Sequence, residues 1–170
     1  MKNNKISISF FSLLFFALFL LGCDADKNNF GPYGSTHIHA DFKVYILGDA
    51  LNFNSAKYQV MDDLTHVENN DGDVLHVHAT GINLGYFFES LGFELTKDCF
   101  KMDTGNNYCK TGDAELKVFV KGKNLEWEQL YYPADYVLQD LDKILVTYGT
   151  ENDEEIRKQM ATATDKSRIT

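Results

Sequence analysis

Two stretches of the chain follow one pattern: FKVYILGDALNF at residues 42–53 and LKVFVKGKNLEW at residues 116–127. In each, apolar and polar residues alternate at first, a glycine follows (Gly48 and Gly122), and a shorter apolar stretch ends the pattern. Alternation with a period of two indicates a β-strand, and a glycine between two such stretches is typical of a β-hairpin. The sequence therefore predicts two β-hairpins of similar design.

Each hairpin is followed by an acidic turn and an apolar strand, DGDVLHVHATG at residues 71–81 and DLDKILVTYGT at residues 140–150. A helix is expected after each strand, within INLGYFFESLGF (residues 82–93) and within DEEIRKQMATAT (residues 153–164). The first has apolar residues near helical spacing, and the second begins with acidic residues, which the helix dipole favours. Asn152 or Asp153 is the expected N-cap of the second helix.

These elements predict an α+β fold in which two pseudo-repeated units, at about residues 37–93 and 111–163, each combine a β-hairpin, a strand and a helix. One domain over residues 36–170 accommodates both units, a normal length for a single core. A hairpin followed by an Asp-x-Asp-x-apolar-x-apolar stretch resembles pieces of the β-grasp fold. The resemblance implies a β-grasp-like mixed sheet.

The histidines distinguish the first unit from the second. All five lie between residues 37 and 78, and four of them form two His-x-His pairs. When Asp73 is aligned with Asp142, His76 and His78 correspond to Leu145 and Thr147, and the second unit contains no histidine. A comparable unit is therefore built without histidine, so the fold itself does not explain these residues.

Strand geometry suggests metal binding, because alternate residues of a strand point to one face. On neighbouring strands, opposed Cβ atoms lie about 4.5–5.5 Å apart, so two His-x-His pairs can surround one ion. Imidazole nitrogens bind Zn²⁺, and histidine-rich sites also suit Cu²⁺ or Ni²⁺. We predict a transition-metal site, for Zn or Cu, with these candidate ligands: His37, His39, His76 and His78, then His66 and Asp41.

Three further carboxylates, Glu68, Asp71 and Asp73, are candidate ligands or acceptors that orient the imidazoles. Two other interpretations of the histidines stay open. They can be solvated or hydrogen-bonded structural residues, or they can form a pH-responsive cluster.

The first 22 residues have the features of an export signal. Lys2 and Lys5 precede an apolar run over residues 10–21, which is short for a membrane span. The following Leu20-Leu21-Gly22-Cys23 resembles the bacterial lipobox. This resemblance implies a lipoprotein that is acylated at Cys23, anchored to a membrane through its lipid and exposed outside the cytoplasm. The polar residues 23–35 are the expected flexible tether.

Charge and cysteine content agree with that location. The chain carries a net charge of −9, which becomes −11 when residues 1–22 are removed, so nucleic acid is excluded as a partner. Cys99 and Cys109 remain beside the lipidated cysteine, and a disulfide is expected between them in an oxidising compartment. A redox or metal-binding cysteine pair is the alternative.

Three functions are compatible with these features. The first is a membrane-anchored extracytoplasmic lipoprotein that binds a transition metal through strand-borne histidines. The second is a metal-dependent enzyme that uses the same site, with a carboxylate such as Glu68 as its base. The third is a structural domain of the cell envelope that binds another envelope protein without metal. All-histidine ligation without an obvious base favours binding over catalysis.

Overall fold

The computed structural model describes residues 29–170, so the predicted signal peptide, Cys23 and the first part of the predicted tether lie outside the described residues. A mixed sheet of seven strands and a smaller sheet of three strands, together with two α-helices, confirm the α+β class. In the described part of the chain, no helix is both long and apolar enough to span a membrane.

The strands are β1 (Ile38–Ile46), β2 (Asp49–Ala50), β3 (Thr65–Glu68), β4 (Asp71–Val77), β5 (Glu94–Leu95), β6 (Cys99–Lys101), β7 (Asn107–Cys109), β8 (Glu115–Lys121), β9 (Glu128–Gln129) and β10 (Lys143–Gly149). The helices are α1 (Leu84–Ser90) and α2 (Asp153–Met160).

The seven-stranded sheet has the order β3-β4-β1-β10-β8-β9, with β2 paired to the end of β1. β1 and β10 run parallel at its centre, and the other neighbouring strands pair antiparallel. Within residues 29–170, the first strand therefore pairs with the last, so the centre of the sheet depends on contacts that are distant in sequence.

The first predicted hairpin is formed by β1 and β2, with Ile46 opposite Asp49. Leu47 and Gly48 at its tip both have positive φ, as a two-residue hairpin turn with the twist of the strands requires. The second hairpin differs from the expectation, because β9 begins only at Glu128, beyond the predicted return stretch. A tight turn delays it: the backbone N–H of Leu125 donates to Gly122 at 3.1 Å, and Asn124 has positive φ.

One face of the sheet carries the main hydrophobic core. Phe42, Val44 and Ile46 of β1 alternate toward this face, and the Phe42 ring meets Phe87 of α1 edge to face at 5.1 Å. Asn83 caps α1 by accepting from the backbone N–H of Tyr86 at 2.8 Å. Helix α1 thus occupies the middle of the predicted stretch and covers the core face.

The opposite face is covered in part by α2 and by the C-terminal tail (residues 161–168). Asn152 and Glu155 form a reciprocal capping box at the start of α2, so Asn152 is the N-cap. The helix ends at Met160, short of the predicted residue 164, and threonine hydroxyls of the tail that follows contact β1. Thr162 pairs with the Tyr45 hydroxyl at 2.9 Å, and Thr164 donates to Asp41. The tail therefore covers β1 from Tyr45 to Asp41 and stops before His39.

Cys99 and Cys109 form a disulfide between the directly opposed residues of β6 and β7, so the two predicted partners are joined. Phe100, which lies next to Cys99, is fully buried against Phe88 of α1 with ring centroids 5.1 Å apart. The disulfide therefore closes the small sheet that extends the core beyond α1.

Residues 29–35, the described part of the predicted tether, contact the domain. The backbone N–H groups of Gly31 and Gly34 donate to the carbonyls of Thr80 and His78, at 2.8 and 2.7 Å. Phe30 packs against Tyr86 with ring centroids 4.7 Å apart. The chain therefore enters the domain directly beside the C-terminal end of β4.

Candidate metal centre

Three neighbouring strands place histidines opposite one another. In the antiparallel pair of β1 and β4, His39 lies opposite His76, and in the pair of β3 and β4, His66 lies opposite the same His76. Directly opposed residues share a face of the sheet, so these three side chains form a row across β3, β4 and β1. The two strands that carry the His-x-His pairs are thus neighbours, as the predicted site requires.

His37 and His78 complete this histidine cluster (His37, His39, His66, His76 and His78), because each lies two residues from a member of the row. The rings form a closed circle in the order His66, His78, His37, His39, His76. Successive ring centroids in this circle are 5.0, 4.8, 4.8, 4.5 and 5.8 Å apart. All five histidines of the chain therefore lie at one place, on the same sheet face as the C-terminal tail but in the part of it that the tail leaves uncovered.

Within the cluster, His37, His39 and His76 are the best arranged to hold an ion. One ligand nitrogen from each lies within 4.8 Å of the others, and this is the one such group in residues 29–170. The Nε2 atoms of His37 and His39 are 3.0 Å apart. Ligands of a tetrahedral Zn²⁺ lie about 3.3–3.4 Å from one another, so small side-chain rotations would bring all three into coordination.

The three histidines differ in their exposure to solvent. His76 is 4% exposed, His39 is half-buried and His37 is exposed. An ion held by these three nitrogens would have protein on one side and water on the other. Three protein ligands also leave one tetrahedral position for water or for a further ligand.

Burial favours the neutral form of three of the histidines, His76, His39 and His78. The pKa of His76 is lowered to about 4, first by burial and then by the positive charge of a protonated His39, while Glu68 acts in the opposite direction. The pKa of His39 and the pKa of His78 are also lowered, in both cases chiefly by burial. Neutral imidazole is the form that binds metal, so the buried His76 needs little or no deprotonation before it can bind an ion.

Glu68 is the carboxylate that reaches the cluster. Its Oε2 lies 3.5 Å from His66 Nε2, and its Oε1 lies 3.9 Å from His76 Nδ1. Its position follows from β3, where the register between His66 and Glu68 is irregular and turns the strand. Of the three carboxylates that the sequence offered as acceptors for imidazoles, Glu68 alone has contacts with histidine in the described structure.

Asp41, Asp71 and Asp73 have other partners. The Asp41 carboxylate is fully buried and accepts hydrogen bonds from Thr164, from the hydroxyl of Ser167 and from the backbone N–H of Lys166 at 3.0 Å. Asp71 and Asp73 both pair with Lys166, at 2.8 and 2.9 Å, and Asp73 also pairs with Lys43. The prediction of Asp41 as a ligand is corrected, because the C-terminal tail occupies both of its oxygens.

Two residues that contact the histidine cluster were not predicted from the sequence. Asp140 accepts a hydrogen bond from the backbone N–H of His39 at 3.3 Å, and the ring of Tyr33 lies 5.7 Å from that of His78. The Asp140 contact depends on the parallel pairing of β1 with β10, which no local pattern indicates. Tyr33 lies in a Gly-Pro-Tyr-Gly stretch next to the first His-x-His pair, and this proximity was the available signal.

Comparison with protein-family models, with curated proteins and with solved structures finds no match. The chemistry of the histidine cluster is therefore argued from its geometry alone.

Proposed function

We propose that this chain is a membrane-anchored extracytoplasmic lipoprotein that binds a transition metal, Zn²⁺ or Cu²⁺, through His37, His39 and His76. The observation that carries the proposal is the convergence of three imidazole nitrogens within 4.8 Å on one sheet face. Histidines that only face solvent need not converge, whereas nitrogen ligands of one ion must.

The environment of the cluster also supports binding. Glu68 and Asp140 place negative charge beside histidines, and the whole chain carries a net charge of −9. Negative charge near neutral imidazoles favours a divalent cation over the metal-free state. Leu145, the residue that corresponds to His76 in the alignment of the two units, is fully buried and apolar, as we expect of a purely structural position.

The entry point of the chain supports the anchoring part of the proposal. Residues 31–34 bond to the end of β4, and the next residues lead directly into His37. Only residues 24–28 separate the proposed acylated Cys23 from the described domain. In this arrangement the histidine cluster lies at the end of the domain where the tether enters, close to the membrane surface.

The fold proposal is finer than the α+β class. We propose that the units β1–β2–β4–α1 and β8–β9–β10–α2 descend from one repeated β-hairpin–strand–helix unit, arranged as in a β-grasp fold. The sheet order β4-β1-β10-β8, with its parallel central pair, supports this assignment. Only the first unit would then have acquired histidines.

Metal content tests the proposed function. The full chain, purified in detergent and freed of metal with a chelator, is dialysed against Zn²⁺ or Cu²⁺ and analysed for bound metal. We expect at least one ion per chain, and we expect His39→Leu and His76→Leu each to weaken the Kd by at least about 100-fold, roughly 2.7 kcal/mol.

Leucine is the matched replacement, because Leu145 occupies the position in β10 that corresponds to His76 in β4. Circular dichroism of each metal-free variant shows whether the fold is kept. The proposal is wrong if the wild-type chain retains no metal, or if both folded variants bind as tightly as the wild type.

A further inference from the structure

Three side chains of the cluster region are not used by the proposed three-histidine site. They are His66, His78 and Glu68. The rings of His66 and His78 are 5.0 Å apart, and His66 Nε2 lies 3.5 Å from Glu68 Oε2. These residues lie beside the first site, because His66 is directly opposite His76 in the sheet.

The tautomer of His66 is fixed by its other nitrogen. His66 Nδ1 lies 2.7 Å from the backbone carbonyl of Asp62, and a carbonyl oxygen can only accept a hydrogen bond. Nδ1 therefore carries the proton, and Nε2 of the neutral ring presents a lone pair. This is the arrangement typical of a metal-binding histidine, whose second nitrogen is oriented by a protein acceptor.

When the His66 ring is neutral, the contact between its Nε2 and Glu68 Oε2 brings two acceptors together, since a carboxylate oxygen also has only lone pairs to offer. A cation between them would turn this repulsion into attraction. A charge-assisted hydrogen bond through a proton would draw the two atoms to about 2.7–2.9 Å. The observed 3.5 Å is instead close to the separation of two ligands on one tetrahedral ion, about 3.3–3.4 Å.

Glu68 also connects this position to the first site. Its second oxygen, Oε1, lies 3.9 Å from His76 Nδ1, so one carboxylate faces a histidine of each group. A carboxylate between two cations offsets their mutual repulsion, and paired ions in proteins lie about 3.5–4 Å apart. The side chain is 36% exposed, so solvent ions can reach it.

We infer that the histidine cluster holds a second transition-metal ion, bound by His66, Glu68 and His78 and paired with the first through the Glu68 carboxylate. His66 and Glu68 are already spaced for it, and His78 joins when its half-buried ring turns toward His66. The inference rests on the proposed function, because it places the second ion next to the first.

Metal stoichiometry tests the pair of ions. The metal-free full chain in detergent is titrated with Zn²⁺, and bound zinc is counted by elemental analysis after removal of free ions. We expect two ions per wild-type chain and one ion per chain for Glu68→Gln and for His66→Gln. Glu154→Gln, which removes an exposed carboxylate from α2, is the matched control and keeps two.

A second measurement detects the pairing of the two ions in the wild-type chain itself. Two Cu²⁺ ions bridged by a carboxylate are magnetically coupled, so the copper-loaded wild type should give the electron paramagnetic resonance spectrum of a coupled pair. In Glu68→Gln the spectrum should change to that of a single isolated Cu²⁺.

The results separate this inference from the proposed function. A wild-type chain that saturates at one ion, lost in His39→Leu, overturns the second ion and leaves the proposed function standing. Two ions that persist in both Glu68→Gln and His66→Gln also overturn it. A wild-type chain that binds no ion contradicts both proposals.

Discussion

At the scale of single residues, the main physical contrast is between a buried histidine, His76, and a buried leucine, Leu145. In the predicted alignment of the two units, His76 of β4 corresponds to Leu145 of β10, and both residues are buried. Burying an imidazole without a close partner costs free energy, whereas burying leucine contributes it. Glu68 Oε1 lies 3.9 Å from His76 Nδ1, which is too far for a hydrogen bond. A metal ion at His76 would offset this cost.

The metal-free chain should therefore lose stability in mild acid through His76. The pKa of His76 is lowered to about 4 in the folded chain, against about 6.5 in the unfolded chain, so the unfolded chain binds the proton first. The contribution of His76 to stability is complete above about pH 6.5 and is lost as the pH falls toward 4. We expect the Tm of the metal-free wild type to fall more steeply over this range than that of His76→Leu.

Thermal unfolding of both proteins at half-unit pH steps, in the presence of chelator, checks this expectation. The wild type and His76→Leu have the same carboxylates, so the difference between their Tm curves excludes the acid sensitivity that the carboxylates cause. Parallel Tm curves from pH 7 to pH 4 would contradict the assignment of the acid-sensitive contribution to His76.

At the scale of elements, β1 depends on the C-terminal tail. Asp41, two residues after His39, is fully buried beneath the tail and accepts from Thr164, Lys166 and Ser167. A second set of contacts holds the same tail to β1 and β4, since Lys166 pairs with Asp71 and Asp73, and Lys43 pairs with Asp73. The strand that contains His39, and that His37 directly precedes, is therefore fixed by residues more than a hundred positions away.

Asp41→Asn should destabilise the fold by about 1–3 kcal/mol, because the amide replaces an acceptor oxygen and leaves buried donors unsatisfied. Urea unfolding of the metal-free chain measures this change in the free energy of unfolding. Asp49→Asn, in the exposed strand β2, is the control and should change stability by less than about 0.5 kcal/mol. Equal effects of the two substitutions would show that the tail contributes nothing through Asp41.

At the scale of the whole molecule, local patterns predicted the elements that have a clear period. The alternation in residues 42–46 and 116–120 identified β1 and β8, and the acidic start of α2 identified its N-terminus. Strands β5, β6 and β7 have only two or three residues each, too few for a period to be recognised. The disulfide was nevertheless expected, because it followed from the predicted export signal and the even number of remaining cysteines.

The candidate site was predicted in the same uneven way. The two His-x-His pairs are recognisable in the sequence. Their convergence, however, depends on β4 lying between β3 and β1, and the order of strands in a sheet cannot be read from any single strand. His66 became a neighbour of His76 only through this order. Asp41 was predicted as a ligand because alternate residues of a strand share a face, which puts Asp41 on the same face as His39. The C-terminal tail folds back over Asp41, and no local sequence pattern indicates this.

The central claim is that the imidazoles of β1 and β4 bind one ion, and X-ray absorption at the zinc edge measures this most directly. The zinc-loaded full chain should show at least three nitrogen neighbours at about 2.0–2.1 Å, with the outer-shell scattering of imidazole rings. In His39→Leu and His76→Leu the imidazole contribution should fall. An oxygen-only shell without imidazole scattering, or a spectrum unchanged by either substitution, would contradict the account.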